Sequence, residues 1–510
     1  MRHRIGLVYV PGALPCFESF GNLPTDLVRG DGLVDGKPAS EILDMIVIPG
    51  GSLVESGTIT DSIQKEIFRI ADAGKLVLGI CSGFQILSNG TDIGRLSLTP
   101  IWRKGLGLLD VEFKPLICTD QVKASIVGAS HLTKSLGAEV SGFHCHTYGD
   151  IKLKAKAKPI MISHVKRLNY GRQNQDLVSG VSNLEGNVIG ILPHAILDNN
   201  QVIVNGIAES TGIEPSELVE IRAENAKLQQ YIKAEIGIST NIHPKSSAKS
   251  KFVEPRSLLI TALESGGGKT FVATGLAGAL KKKGWNVGMI KVGGDIRDIV
   301  PALYLIKEPM KEYSSITVAE TGWKPPSESV KAASRDYDFI LIEGAMNAFT
   351  GMLYDELERP NSTAEVAAAL SVPTVLVAGC DKEGIEGGIV SSLNYVHFLK
   401  KLGIKVVGVI LNKVYLNYMS EETRIIVGKA FAGAGAELLG MVPVTDVVGR
   451  GAIPEVEIKY EDFGAKALEI AGNSLDLEKI VKVSKPLAPV VDFDYEAFVE
   501  KFRKELLKEP

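Results

Sequence analysis

Short apolar segments recur along both halves of the chain, and each is followed by a stretch whose apolar residues are spaced as on a helix. Such segments indicate buried strands, and their alternation with amphipathic helices indicates sheets of mainly parallel strands. The N-terminal half contains RIGLVYV, MIVIPGG and KLVLGIC, and the C-terminal half contains SLLITAL, WNVGMIKV, YDFILIEG, PTVLVAG and KVVGVILNKV. We therefore predict two α/β domains, each with three layers and a mainly parallel sheet.

Two helices have a clear apolar face. The first begins at Pro215, a residue suited to the first turn of a helix. Its apolar positions near one face are Leu218, Ile221, Leu228 and Ile232. The last helix of the chain has a stripe formed by Tyr495, Phe498, Val499, Phe502 and Leu506. We expect this stripe to pack against the second domain.

Between the two halves lies the segment STNIHPKSSAKSKFVEPR, which is rich in Ser, Lys and Pro and has no apolar periodicity. That composition is typical of a linker. We predict an N-terminal domain with a trailing helix over residues 1–237, a linker over residues 238–256, and a C-terminal domain over residues 257–510.

The composition is that of an ordinary globular chain, with 45% hydrophobic and 23% charged residues and a formal net charge of −4. This charge gives no reason to expect a nucleic acid or an anionic membrane as the main partner. The five cysteines are widely spaced and form no CxxC pair, so we expect a reducing cytoplasm. We expect neither a signal peptide nor a membrane-spanning segment, because no apolar run is long enough.

The segment LVLGICSGFQIL places Cys81 at the end of a predicted strand, with Gly79 and Gly83 two residues to either side. Cys81 could be a core residue, since free cysteine is among the most buried residue types. It could also be a nucleophile in an elbow, where a strand turns sharply into a helix and exposes the reactive atom. These residues alone leave both interpretations open.

The segment ESGGGKT follows a predicted strand and precedes a predicted helix, which favours a phosphate-binding loop. Gly266, Gly267 and Gly268 let backbone N–H groups face one point. Lys269 can then reach the outer phosphates, and Thr270 can bind magnesium. A glycine-rich turn without a ligand is the alternative, because Leu263 stands where the Walker pattern has glycine.

Charged residues follow two further strands of the C-terminal half. Lys291, Asp295 and Asp298 come after one strand, and Glu343 ends another. Ligands of open parallel sheets bind at the carboxyl ends of the strands. We therefore predict magnesium ligands at Thr270, Asp295 and Glu343. A solvated loop charge is the alternative interpretation for Asp298.

The segments GGGKT, KVGGDIRD, IEGAMNAFTG, NSTAEVAAALSVPTVLV and GVILNKV occur in the order found in one enzyme family. Over most of residues 257–455 the chain resembles the cobyrinic acid a,c-diamide synthase and cobyric acid synthase family. The resemblance implies a synthetase domain, similar to dethiobiotin synthetase, that uses ATP to activate carboxylates of a corrin precursor. It also implies a linked class I glutamine amidotransferase domain that supplies ammonia.

The N-terminal half resembles that amidotransferase domain in four segments, GICSGFQ, VIPGGS, WRKGLGLLDVEF and GNVIGILPHAIL. The resemblance implies that Cys81 is the nucleophile and that His194 is the catalytic base. It also implies an oxyanion hole formed by Gly50, Gly51 and Ser82.

The segment GFHCHTYG resembles a further stretch of the family and places His146 on a family histidine, for which we favour a structural role. A metal site formed by His144, Cys145 and His146 is the alternative, but no second pair of ligands appears at a suitable spacing.

The chain departs from the family at several points. The usual domain order is reversed, and Ile196 stands where many class I amidotransferases have a glutamate two residues after the histidine. Gly294 replaces a proline, and Glu264 lies among the small residues of the phosphate loop. The predicted substrate-loop residues are Lys291, Asp298, Asn347 and Thr350, the last two replacing glycine and aspartate.

These observations lead to an ATP- and Mg²⁺-dependent, glutamine-hydrolysing amidoligase that acts on carboxylates of a corrin or another tetrapyrrole. One alternative is a P-loop ATPase switch with a degenerate, glutamine-sensing amidotransferase module. Another is an amidotransferase for a cell-wall precursor. The expected partners are glutamine and a carboxylated acceptor, without nucleic acid or membrane, and a homodimer is compatible with the sequence.

Overall fold

A computed structural model describes residues 3–10, 12–14, 16–52, 59–238, 254–354, 358–445, 458–486 and 492–508. These residues fall into two compact units, one made mainly of Met1–Ile236 and the other mainly of Gly237–Val448 with Glu461–Pro510. Residues 239–253 of the predicted linker lie outside the described residues. No helix within the described ranges combines the length and the apolar character needed to cross a membrane.

The first unit contains short helices and many strands. Its strands are β1 (Ile5–Val8), β2 (Asp26–Val28), β3 (Leu33–Val34), β4 (Lys37–Pro38), β5 (Met45–Ile48), β6 (Leu76–Ile80), β7 (Gly90–Asp92), β8 (Trp102–Lys104), β9 (Val111–Lys114), β10 (Gln121–Ile126), β11 (Glu139–Phe143), β12 (Asp150–Leu153), β13 (Lys158–Leu168), β14 (Gly171–Ser182) and β15 (Val188–Ile191). Its helices are α1 (Ala39–Ile42), α2 (Asp61–Asp72), α3 (Ser82–Leu87), α4 (Ile196–Asn199), α5 (Gln201–Thr211) and α6 (Pro215–Glu235).

The main sheet of the first unit has the strand order β11-β10-β13-β14-β15-β6-β5-β1-β2. The strands from β15 to β2 pair in parallel, as the apolar segments predict. The strands from β14 to β11 pair antiparallel and extend the sheet, which the sequence analysis did not predict. The first half of β14 is exposed and polar, so it lacks the apolar pattern by which a strand is recognised.

The trailing helix α6 begins at Pro215 as predicted, but its buried face differs in detail. Ile221 and Ile232 are buried, whereas Leu218 and Leu228 are only partly buried. Asn225 is also buried, and its Nδ2 donates a hydrogen bond of 2.8 Å to the carbonyl oxygen of Pro24. A polar residue therefore lies on the packed face because a backbone acceptor satisfies it.

The second unit contains the predicted C-terminal sheet. Its strands are β16 (Arg256–Ala262), β17 (Val287–Val292), β18 (Ser315–Ile316), β19 (Phe339–Glu343), β20 (Thr374–Gly379), β21 (Val406–Val414), β22 (Glu437–Pro443) and β23 (Lys485–Pro486). Its helices are α7 (Lys269–Lys282), α8 (Val300–Ile306), α9 (Pro326–Ala333), α10 (Thr363–Ala369), α11 (Gly384–Leu402), α12 (Glu421–Gly433), α13 (Tyr460–Ala467), α14 (Leu477–Val483) and α15 (Tyr495–Leu506).

The strand order in this second sheet is β18-β17-β19-β16-β20-β21-β22, with β23 antiparallel to β16. The other pairings are parallel. In both units helices connect most of the parallel strands, so the predicted α/β class is confirmed. The carboxyl ends of β16, β17 and β19 meet at one edge, where the phosphate-loop residues follow β16.

The last helix, α15, packs against the second unit through the predicted stripe. Phe498, Val499 and Phe502 are buried in the core of that unit. The ring of Phe502 lies 5.6 Å from Phe349 and 5.7 Å from Phe398. Leu506, the last stripe position, is 53% exposed, because the core contact ends before the helix does.

We predict that Phe502→Ala lowers the free energy of unfolding of the second unit by about 3 kcal/mol, because it removes a buried aromatic ring. Leu506→Ala on the same helix is the matched control, with an expected change of about 0.5 kcal/mol or less. Urea unfolding of the full chain measures both. Equal effects of the two variants would contradict the packing of α15 described above.

Candidate functional site

The backbone at Cys81 makes a sharp turn between β6 and α3. Its φ of 50° and ψ of −108° are unfavourable for a residue with a side chain. A Cβ at Gly83 would collide with the carbonyl oxygen of Ile48, and a Cβ at Gly79 would lie 2.6 Å from the carbonyl oxygen of Gly83. Both glycines are therefore needed for the helix to start so close to the sheet. This is the geometry expected of an elbow.

His194 follows β15 and is completely buried. Its ring stacks between Phe17, at 4.6 Å, and Phe143, at 5.3 Å. Its Nδ1 lies 2.8 Å from Oε1 of Glu18, also fully buried, and a carboxylate there accepts the Nδ1 proton. Its Nε2 is buried and has no hydrogen-bond partner among the described residues.

Gly50, at the end of β5, lies against both Cys81 and His194. A Cβ at Gly50 would collide with Cε1 of His194 and lie 3.2 Å from Cβ of Cys81. The ends of three neighbouring strands thus bring these residues together. Burial lowers the pKa of His194, but Cys81 and Glu18 outweigh this effect and raise the pKa to about 10. The imidazolium form is the partner that activates a cysteine thiolate.

The other two predicted oxyanion-hole residues lie at the same end of the sheet. Ser82 is the first residue of α3 and is buried next to Cys81 in the chain. Gly51 follows Gly50 and faces Ala13, whose Cβ would be 3.1 Å from a Cβ at Gly51.

The two neighbouring histidines, His144 and His146, bond to each other rather than converge on a common point. Nε2 of His146 lies 2.9 Å from Nδ1 of His144, and Nδ1 of His146 lies 3.2 Å from the carbonyl oxygen of Leu116. Burial lowers the pKa of His144 well below its ordinary value, so this ring is neutral. The pair fits a structural role better than metal binding.

A cavity of about 410 Å³ lies between α2, α3 and β8. Its lining includes the polar residues Gln64, Gln85, Thr91 and Arg103. Gln85 lies one turn after Cys81 on α3, and its Oε1 is buried without a hydrogen-bond partner in the described part of the chain. Burial lowers the pKa of Arg103, so the charged guanidinium group is partly shielded from solvent.

The predicted phosphate loop precedes α7 in the second unit. Gly268 has a φ of +86°, and a Cβ there would collide with the side-chain amide of Asn412. Nδ2 of Asn412 donates a hydrogen bond of 2.9 Å to the carbonyl oxygen of Gly267, and Nζ of Lys413 donates one of 3.0 Å to that of Gly266. Residues at the end of β21 therefore hold the loop in its curved form.

Four predicted residues form one network beside this loop. Nζ of Lys291 donates to Asp298 at 2.6 Å and to Oε1 of Glu343 at 3.0 Å. The hydroxyl of Thr270 donates to the same oxygen at 2.7 Å. Burial lowers the pKa of Lys291, but the two carboxylates outweigh it and raise that pKa. Burial raises the pKa of Asp298, but Lys291 outweighs burial and lowers that pKa.

The site's fit to magnesium depends on Thr270 and Glu343. Oε2 of Glu343 is buried and has no hydrogen-bond partner among the described residues, so it can accept a cation. Asp295 lies apart from the network, 4.0 Å from Arg297 and partly exposed. No set of three or more His, Cys, Asp and Glu side chains in the described ranges could hold a metal ion. Phosphate oxygens would therefore complete the ligand set, as is usual for magnesium.

The predicted substrate-loop residues Asn347 and Thr350 bond to each other. Oδ1 of Asn347 accepts hydrogen bonds from the backbone N–H groups of Phe349 and Thr350 and from the hydroxyl of Thr350. They close a turn after β19, whereas Lys291 and Asp298 belong to the network beside the phosphate loop.

Phe17 and Glu18 both contact His194, and no motif in the sequence predicts these two contacts. Both residues belong to the loop after β1, far from His194 in the chain. The available signal was the single acidic residue in the largely apolar segment GALPCFESF.

We predict that Gly50→Ala lowers glutamine hydrolysis by at least about tenfold, because the new methyl group must displace the His194 ring. Gly428→Ala is the matched control, since a Cβ there meets nothing within 4 Å. Steady-state glutaminase assays compare the variants. Full activity in Gly50→Ala would contradict a role for this arrangement in catalysis.

We predict that Glu343→Gln raises the magnesium concentration needed for half-maximal ATP hydrolysis, because it weakens the oxygen available to the cation. A smaller rise is expected for Asp295→Asn, and none for Glu437→Gln at the exposed end of β22. Magnesium titrations of the ATPase rate measure these changes. An unchanged titration in Glu343→Gln would argue against this magnesium site.

Two family models match the chain. The CobB/CobQ-like glutamine amidotransferase domain matches residues 20–202, and the CobQ/CobB/MinD/ParA nucleotide binding domain matches residues 258–453. Cobyric acid synthase of Clostridium botulinum (strain Alaska E43 / Type E3) is 28% identical over 216 residues, 39% of this chain and 40% of that protein. Hydrogenobyrinate a,c-diamide synthase of Mesorhizobium japonicum is 27% identical over 244 residues, 46% of this chain and 52% of that protein. The chain thus spans about half or less of the length of these relatives.

Two solved structures are each similar to part of the chain. PurLQS from Thermotoga maritima matches with a TM-score of 0.31 and 21% identity, covering 41% of this chain and 99% of that one. The septum site-determining protein MinD with Mg-ADP from Pyrococcus horikoshii OT3 matches with a TM-score of 0.28 and 19% identity. The match covers 45% of this chain and 98% of that one. The two family models follow each other along the chain, which therefore combines a CobB/CobQ-like glutamine amidotransferase domain, placed first, with a CobQ/CobB/MinD/ParA nucleotide binding domain, placed second.

Proposed function

We propose that the first unit hydrolyses glutamine and that the second uses the ammonia and ATP to convert carboxylates into primary amides. The acceptor is a cobyrinic-acid-type corrin or another tetrapyrrole. The observation that carries the proposal is Cys81 in a strained turn beside His194, whose surroundings keep it protonated. A strained backbone at a cysteine points to a reactive rather than a packing role.

In the glutaminase reaction, the thiolate Sγ of Cys81 attacks the carboxamide carbon of glutamine. The C–N bond then breaks as His194 gives its Nε2 proton to the leaving nitrogen, which departs as ammonia. Water then hydrolyses the thioester, with His194 as base. Backbone N–H groups near Gly50 and Ser82 stabilise the oxyanion, a contribution of about 3 kcal/mol per donor in well-studied enzymes.

We assign glutamine to the cavity beside α3, whose lining includes Gln85, four residues after Cys81, but neither Cys81 nor His194. Gln85 presents a buried amide oxygen without a described partner, which can accept an N–H of the substrate. Arg103 contributes a positive charge to the wall, which complements the α-carboxylate. Phe68 lines the same cavity and covers the apolar part of a small ligand.

In the second unit, Lys269 and Lys291 hold positive charge at the phosphate loop. Burial and the neighbouring Lys291 lower the pKa of Lys269, so a phosphate group beside it would stabilise its charged form. Thr270 and Glu343 would hold magnesium there. ATP with magnesium would supply the phosphoryl group that makes the acceptor carboxylate reactive toward ammonia.

The choice of acceptor rests on the matched relatives, whose names specify cobyric acid and hydrogenobyrinate a,c-diamide as products. The test incubates the chain with ATP, magnesium, amide-¹⁵N-glutamine and cobyrinic acid or another carboxylated tetrapyrrole. Each amide changes the product mass, so mass spectrometry counts the sites. ATP turnover that needs no acceptor would instead favour an ATPase switch.

We predict that Cys81→Ala abolishes glutamine-dependent amide formation but retains synthesis from ammonium chloride at alkaline pH, because only the thioester step is lost. Lys269→Ala should do the reverse: it keeps glutaminase activity and loses synthesis from either nitrogen source. The product mass and the released glutamate measure the two activities. If Cys81→Ala retained glutamine-dependent synthesis, Cys81 would be a packing residue and not the nucleophile.

A further inference from the structure

The acidic residue that faces His194 comes from the loop after β1, not from the segment after the histidine. Oε1 of Glu18 accepts the Nδ1–H of His194 at 2.8 Å, and Oε2 accepts the backbone N–H of Ala195 at 3.1 Å. Both side chains are completely buried. The carboxylate therefore binds both the ring of His194 and the backbone N–H of Ala195.

The segment after His194 cannot supply an acid at the usual position. Ile196 is completely buried, and its Cδ1 would be 2.9 Å from a Cβ at Gly142. The acidic residue of α4 is Asp198, whose carboxylate accepts the backbone N–H groups of Ser19 at 2.7 Å and Gly21 at 2.6 Å. Asp198 thus holds the loop that carries Glu18.

We propose that Glu18 is the positioning residue of the glutaminase and supplies the carboxylate that is absent at Ile196. Asp198 fixes the loop that carries Glu18. The inference rests on the proposed glutaminase function. A carboxylate at Nδ1 fixes the ring so that Nε2 faces the nucleophile, and it stabilises the imidazolium that forms when the thiol loses its proton. Phe17, the residue before Glu18, fixes the plane of the same ring by stacking.

The charges around His194 favour this assignment. The titratable groups that raise the pKa of His194 are Cys81 and Glu18. His194 in turn lowers the pKa of His144, and Asp198 raises the pKa of Glu18. Burial raises the pKa of Glu18, and the pKa stays raised although the bonds to His194 and Ala195 lower it. Glu18 is therefore the carboxyl group that faces Nδ1 of the buried His194 ring.

The test compares Glu18→Gln and Glu18→Asp in the full chain. We expect Glu18→Gln to lower kcat for glutamine hydrolysis by about tenfold or more, with KM within about twofold, since the amide loses the charge but not the shape. The alkaline limb of the kcat profile reports loss of the imidazolium proton. It should move to lower pH, because a neutral amide no longer raises the pKa of His194. Glu18→Asp should recover part of the rate.

A matched control is Glu217→Gln, which changes a partly exposed glutamate 2.9 Å from Nδ1 of His3 and should leave kcat unchanged. A kcat of Glu18→Gln within about twofold of the parent chain, or a lowered kcat with an unmoved alkaline limb, would overturn the assignment.

The rate at which iodoacetamide alkylates Cys81, followed by peptide mass spectrometry, separates failure of this inference from failure of the proposed function. If the parent chain hydrolyses no glutamine, the proposed function fails. Slower alkylation at neutral pH in Glu18→Gln, but not in Glu217→Gln, would still support the positioning role, and equal rates would overturn it.

Discussion

The turn at Cys81 is the constraint on which the first site depends. A positive φ at a residue with a side chain costs about 1–3 kcal/mol, and the surrounding packing must hold it in place. Here β6 is completely buried between β5 and β15, and the close approach of α3 to Ile48 requires Gly83. The parallel order of these strands brings Gly50, Cys81 and His194 to one edge, so sheet topology assembles the site.

A different constraint governs the second site, the burial of two lysines next to one another. Asp298 and Glu343 balance the charge of Lys291, but burial and that neighbour still lower the pKa of Lys269. An anion that binds beside Lys269 therefore stabilises the charged form of this lysine. The hydrogen bonds from Asn412 and Lys413 meanwhile hold the loop in the curved form that such an anion needs.

The parallel strands, the elbow, the phosphate loop and the docked final helix were predictable because each is encoded within a short segment. Glu18 was not, because its partner lies 176 residues away and only the fold brings them together. The substitution at Ile196 indicated that an acid was missing but not where one would come from. The pairing of Lys291 with Glu343 was hidden for the same reason, since strand order rather than spacing in the chain decides it.

The reversed domain order is compatible with the way in which each site is built. Cys81, His194 and Glu18 all belong to the first unit, whereas Lys269, Lys291 and Glu343 all belong to the second. Exchanging the order of two such units leaves the strand order and every contact within each site unchanged; it alters only which chain ends the linker joins. Because the proposed reaction passes only ammonia from one site to the other, its chemistry does not require that either unit come first.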